Sequence, residues 1–220
     1  MKKLLLSFAL LAQLIISENV FSAALEIRTF SGPEARQYSS DIINIRFLFK
    51  EFPYLYQGTV EYEVEYLETY FKSPNAIILL VFDNDKVVGF ANAIPLVEEL
   101  EEIKAPFIKK GLNLDDYLYI GEVMLYPEYR KKGIVKRFYE SLKIVEDDAR
   151  AKGFRSTIFM MVDRPEDHPL RPEGYQPLDA MCRYFGYGLA PDMKIALAWT
   201  QVDTGMETDN TLSIWEKKIS

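Results

Sequence analysis

Apolar and polar residues change their period several times along the chain, and each change marks an element. Leu25 to Phe30 alternates as a strand with one buried face does, and Ser31-Gly32-Pro33 turns the chain. Between residues 35 and 50 the apolar positions Ile42, Ile45, Leu48 and Phe49 form a helical stripe. A second stripe, Val60, Val64, Leu67 and Phe71, predicts a helix over 60–72 that Pro74-Asn75 breaks. Ala76 to Phe82 and Lys86 to Ile94 read as strands, and Asp83-Asn84-Asp85 between them predicts a hairpin turn. Val97 to Lys110 is a charged helix before the next strand.

Tyr117 to Tyr126 is rich in aromatic and β-branched residues and stops at Pro127, the pattern of a strand. From about Gly133 to Lys152, Ile134, Phe138, Leu142, Val145 and Ala149 share one helical face, and Gly153 supplies a C-terminal stop. Ser156 to Val162 is a continuous apolar run, as in a strand buried on both faces. Residues 117–162 therefore predict a β-α-β unit with parallel strands and a right-handed crossover. A short helix (178–185) and strands at 193–200 and 211–217 complete the chain.

The N-terminus follows a different rule. Lys2 and Lys3 precede a 13-residue stretch, Leu4 to Ile16, that is apolar except for Ser7 and Gln13, and Ser22, Ala23 and Ala24 are small. This is the layout of a signal peptide over 1–22, extending to 24 with cleavage after Ala24. The mature domain is then 23–220, exported to a periplasm or secreted. An uncleaved N-terminus instead leaves the protein membrane-anchored or cytoplasmic. No other run reaches membrane-spanning length, so no membrane partner is expected after cleavage. Beyond residue 22 there are 24 basic and 32 acidic side chains, a net charge of −8. That balance argues against nucleic acid and suits a cationic substrate. With Cys182 the only cysteine and His168 the only histidine, neither an internal disulfide nor a structural zinc site is available. Monomer and homodimer are both left open.

The stretch Tyr126-Pro127-Glu128-Tyr129-Arg130-Lys131-Lys132-Gly133-Ile134-Val135 joins a strand end to a helix start. Backbone N–H groups of a first helical turn lack internal partners, and glycine lets an anion approach them. Arg130, Lys131, Lys132, Lys136 and Arg137 add positive charge in an otherwise acidic chain. Segment 117–154 resembles motif A of the GNAT superfamily of acyl-CoA N-acyltransferases, Arg/Gln-x-x-Gly-x-Gly/Ala. A second stretch, from His168 to Asp179 followed by Phe185-Gly186-Tyr187, is similar to one GNAT subgroup, as is the last strand with Trp215. The likeness extends over roughly residues 25–220.

The resemblance implies an α/β fold of the α+β kind. It has a central mixed, largely antiparallel twisted sheet, a β-α-β acyl-CoA-binding core and flanking helices. It also implies acetyl-CoA as co-substrate, an amine acceptor and no metal. Arg130, Lys131, Lys132, Gly133, Ile134 and Val135 would hold the pyrophosphate, and the backbone of Met124 and Leu125 would pair with the pantetheine arm and polarise the carbonyl. Val135 departs from the motif, and its methyl groups are expected to crowd the phosphate. Cys182 departs too: it stands four residues before Gly186, where many members carry a tyrosine acid, although in the similar subgroup that position is often tryptophan.

Acyl transfer from a thioester needs a base for the ammonium and a route for the thiolate to leave. Glu122, beside Gly121, is the candidate base. Cys182 and Tyr184 are alternative acids that cannot both face the site, being about 200° apart on a helix. His168 suits loop pinning better than catalysis. The glutamates at 61, 63, 65 and 68 and at 98, 99, 101 and 102 read most simply as solvated helix faces, or else as an entrance for a cationic amine. Tyr54, Tyr56, Tyr62 and Tyr66 fall at the family's acceptor wall or in aromatic core. A non-catalytic acyl-CoA- or ligand-binding protein of the same fold is the alternative function.

Overall fold

The computed structural model describes residues 25–48, 59–130, 134–175 and 177–219, with side chains in the helix that opens at Ile134 described from Leu142 onward. The candidate signal peptide, Phe49, Tyr54, Tyr56, Lys131, Lys132 and Gly133 lie outside the described residues.

Strand β1 (Leu25–Ser31) runs into a short helix α1 (Gly32–Ala35), a 3-10 turn and α2 (Ser39–Arg46). The single helix expected over 35–50 is thus divided. Helix α3 (Val60–Lys72) starts at Thr59, whose side chain accepts from the Tyr62 N–H, and leads to β2 (Ile77–Asp83) and β3 (Lys86–Pro95). Asn84 takes φ 53° in the tight turn between these strands, where asparagine is tolerated. Helix α4 (Glu101–Lys109), β4 (Tyr117–Leu125), α5 (Ile134–Ala151) and β5 (Ser156–Val162) follow. Helix α6 (Asp179–Tyr184) and the hairpin β6 (Gly188–Thr200) and β7 (Glu207–Lys218) end the chain. Both last strands begin earlier than their apolar stretches: Gly188 and Leu189 pair with Glu216 and Trp215, and Glu207 to Asn210 pair with Leu197 to Thr200.

These strands form one seven-stranded sheet in the order β1-β2-β3-β4-β5-β7-β6. Only β4 and β5 pair in parallel, as the β-α-β pattern predicts. Strand β2 shows how the sheet divides the core: Ile78, Leu80 and Phe82 face α2, α3 and α4, while Ile77, Leu79 and Val81 pack with residues of α5 and α6. The run Ser156–Val162 is buried on both faces only over its first three residues. Its later residues are half-buried because they have lost β4 as a neighbour.

Helix α3 corrects the predicted stripe. Its buried residues are Glu63, Leu67, Tyr70 and Phe71, whereas Val60 and Val64 are exposed. The helix has turned so that a glutamate, rather than two valines, meets the protein interior. That choice needs a buried counter-charge, and α2 provides it.

Candidate active site

Two irregularities in β4 open a cleft. Pairing with β5 covers only Tyr117, Leu118 and Tyr119, although β4 continues to Leu125 and β5 to Val162. Beyond that fork the β5-facing edge of β4 has no strand beside it among the described residues. On the other edge, Asn92 of β3 lies opposite Glu122 and Ala93 lies opposite Ile120, so Gly121 has no partner and forms a bulge. Tyr117 and Tyr119 point to the α2–α3 face. The bulge resets the alternation, so Gly121 and Glu122 both take that face. A Cβ on Gly121 would overlap the Tyr70 hydroxyl and come within 2.6 Å of Asn92 Oδ1, which explains the glycine.

Glu122 lies where α2, α3 and β4 meet. Arg46, the last residue of α2, is buried and forms ion pairs with Glu63 of α3 and with Glu122 Oε1. Its guanidinium also lies 4.8 Å from the centre of the Tyr66 ring. The Glu122 N–H donates to Asn92 Oδ1 at 2.7 Å. Glu122 Oε2 is buried and makes no hydrogen bond, although the side chain as a whole is 11% exposed. Burial pushes this carboxyl up to about 6, against the pull of Arg46 and with the help of Glu63 and Glu99. Tyr70 donates to Glu99 at 2.7 Å, and its hydroxyl is 3.0 Å from that of Tyr66. Burial raises Glu99 as well.

Glu63 and Glu99 are therefore buried members of this cluster and not solvated helix faces. Arg46 and Asn92 are site residues that sequence reasoning missed, and Glu63 and Glu99 are two whose simplest reading there was solvation. The available signal was spacing: Glu63 is four residues before Leu67 and seven before Tyr70, on the same face of the helix. Of the tyrosines, Tyr66 joins the core beside the cluster, and Tyr62 is exposed with its ring stacked on Tyr66.

The anion-site residues fall at the open end of β4. Tyr129 donates to Asp83 Oδ2 at 2.6 Å, fastening the loop to the β2–β3 turn, and Arg130 Nε donates to the Leu125 carbonyl at 2.9 Å. Helix α5 opens with the backbone of Ile134 and Val135. The positive end of this 18-residue helix follows Arg130 by four residues along the chain, soon after the end of β4. An unpaired strand edge, an arginine and a helix N-terminus fit a ligand with an amide-bearing arm and phosphates. Met124 is half-buried on the Glu122 face, and Leu125 is buried on the opposite one.

The two candidate acids are placed elsewhere. Cys182 is buried among Ala149, Tyr187 and Trp215 on the α5–α6 face, and burial pushes its thiol up to about 11. Tyr184 is 82% exposed. The structure thus brings neither into contact with the Glu122 cluster. His168 Nδ1 accepts from the Leu170 N–H at 3.2 Å and pins its loop. Among the described residues no group of His, Cys, Asp and Glu side chains is arranged to hold a metal ion.

A forked β4–β5 pair followed by a helix start, with Arg130-Lys131-Lys132-Gly133 between strand and helix in the sequence, is what the resemblance to acyl-CoA-dependent acyltransferases implies. The family is shown directly: residues 43–171 match the model of the acetyltransferase (GNAT) family, and the chain belongs to it. Solved structures agree in fold. An acetyltransferase from Thermus thermophilus superposes with TM-score 0.54 at 13% identity, covering 89% of this chain and 97% of that one. A Salmonella typhimurium protein solved with its cofactor acetyl-CoA gives 0.56 at 12%, covering 90% and 95%. The Escherichia coli ribosomal-protein-S18-alanine N-acetyltransferase gives 0.53 at 11%, covering 89% and 94%. At these identities the likeness is one of fold. No curated protein matches the sequence.

Proposed function

We propose that the protein moves an acetyl group from acetyl-CoA to a primary amine, on a small molecule or a protein, by direct attack in a ternary complex. The observation that carries this reading is Glu122, a buried carboxyl raised to about 6 with one oxygen unpartnered, beside the open edge of β4. Acetyl-CoA supplies the acyl carbonyl and the thiolate that departs. Arg130, the motif residues Lys131, Lys132 and Gly133, and the backbone of Ile134 and Val135 hold its phosphates. The backbone of Met124 and Leu125 lies along its arm.

An amine acceptor arrives mostly as ammonium at neutral pH. Glu122 Oε2 takes its proton, directly or through one water, and frees the lone pair for attack. A carboxyl near 6 is largely ionised at pH 7 yet more basic than an ordinary one, which suits it to that task. No side-chain acid is assigned to the leaving thiolate. A thiol of pKa about 8.5 departs readily enough near neutral pH. Cys182 serves packing in this account, and Tyr184 faces solvent.

CoA release measured with a panel of primary amines tests the reading. Turnover with at least one amine is expected. Acetyl-CoA binding without turnover on any of them favours the non-catalytic alternative. Residues 1–22 act as a cleaved signal in the same account. N-terminal sequencing of protein from its native cell should find Ala23 or Leu25 first, and Met1 retained in a soluble fraction contradicts export.

A further inference from the structure

Arg46 contacts two carboxylates, and only one of them lies beside the cleft. Glu63 is 3% exposed and closed off on α3, whereas Glu122 is 11% exposed with Oε2 unpartnered. We propose that Arg46 and Glu63 are the positioning pair of Glu122: the guanidinium anchors Oε1 and leaves the buried Oε2 as the oxygen that takes the proton, while Glu63 balances the guanidinium so that Glu122 keeps its charge for an ammonium. The inference rests on Glu122 being the base.

The groups facing Glu122 are Arg46 from α2, Glu63, Tyr62 and Tyr66 from α3, Glu99 before α4, and Tyr119 of β4. The three phenols are all shifted upward and stay neutral through the working range. The charge at the site is therefore set by one arginine against three glutamates. With Glu122 ionised and Arg46 matched by Glu63, the negative charge of Glu122 is left for a cation. Once Glu122 accepts the proton, Arg46 and Glu63 remain a neutral pair, so no unpaired buried cation results. The same arrangement favours acceptors that arrive as a monovalent ammonium over amides or alcohols.

Removing either partner should move the base in opposite directions. Glu63→Gln leaves Arg46 to Glu122 alone, which favours the carboxylate. The acid limb of the kcat/KM–pH profile should fall by about one pH unit, with a lower rate on the plateau as the base weakens. Arg46→Met buries two carboxylates together without a counter-charge, and the limb should rise by about one unit or more. Arg46→Lys keeps the charge and should return the limb close to that of the parent, with a lower kcat because the fork geometry is lost. If Arg46→Met does not fold, Glu63→Gln and Arg46→Lys carry the test.

Acetyl-CoA affinity, read from thermal shift, should be unchanged in each folded variant. Limbs that stay at the parent position in Glu63→Gln, or move the same way in both charge-removing variants, overturn the positioning pair. Glu122→Gln run alongside separates the two levels. If it keeps the acid limb, the base assignment fails. If it loses the limb while the Arg46 and Glu63 variants leave theirs in place, only the positioning pair fails.

Discussion

Arg46 holds Glu122 by one carboxylate oxygen and leaves the other without a partner. A buried ion pair contributes little net stability once desolvation is counted. The asymmetry of this one fits orientation better than fastening, since it leaves Oε2 as the oxygen with no hydrogen bond to give up when a proton arrives. Asn92 adds to the restraint by accepting the Glu122 N–H, so backbone and side chain of Glu122 are both fixed.

The bulge that turns Glu122 inward depends on Gly121. Gly121→Ala places a methyl group against the Tyr70 hydroxyl and Asn92 Oδ1. Urea unfolding should show a loss of about 1–3 kcal/mol, and activity should fall further than stability alone explains because Glu122 is displaced. Parent-like stability and activity together would show that the sheet absorbs the methyl.

Glu122 also links stability to pH. Its carboxyl is raised above the usual value by burial, so the native state binds the proton more tightly than the unfolded chain. The stabilising contribution is complete below about pH 4.5 and is lost as pH rises through about 6. The difference between 4.5 and about 6 corresponds to about 2 kcal/mol. Glu122→Gln should therefore be more stable than the parent by up to about that amount at pH 7.5, and little different at pH 4. Denaturant unfolding at the two pH values measures this, and a loss of stability at pH 7.5 contradicts it.

Much of the frame was legible because it is local. The β-α-β unit follows from Pro127, the 134–149 stripe, Gly153 and the apolar run after it, and Glu122 stood out beside a glycine within a strand. The rest of the cluster depends on contacts between elements distant in sequence. Arg46 sits just after Ile45 in a short helix, and nothing near it announces a buried partner. Glu63 and Glu99 lie in acidic runs, where solvation is the simplest reading until Arg46 and Tyr70 are seen beside them. Cys182 and Tyr184 follow helix geometry as expected, one inward and one outward. The inward face, however, belongs to the side of the sheet away from Glu122.

The start of α5 predicts cofactor affinity. Acetyl-CoA at a hundred times its Kd should add about 2.7 kcal/mol, raising Tm by about 5–10 °C. Gly133→Asp, which sets a carboxylate against the phosphates, should abolish the rise. Val135→Ala should enlarge it by relieving crowding. An unchanged response in Gly133→Asp removes the pyrophosphate assignment.

The most direct test of the account is the rate of acetyl transfer by Glu122→Gln as a function of pH. The substitution keeps the shape and removes the base. At pH 7 an ammonium of pKa about 10 is only about a thousandth deprotonated. In Glu122→Gln, kcat/KM should fall by about 10²–10⁴ at pH 7, the deficit should shrink as pH approaches the amine's own pKa, and acetyl-CoA binding should be unaltered. Near-full activity of Glu122→Gln at pH 7, or loss of acetyl-CoA binding in its place, would contradict the base assignment.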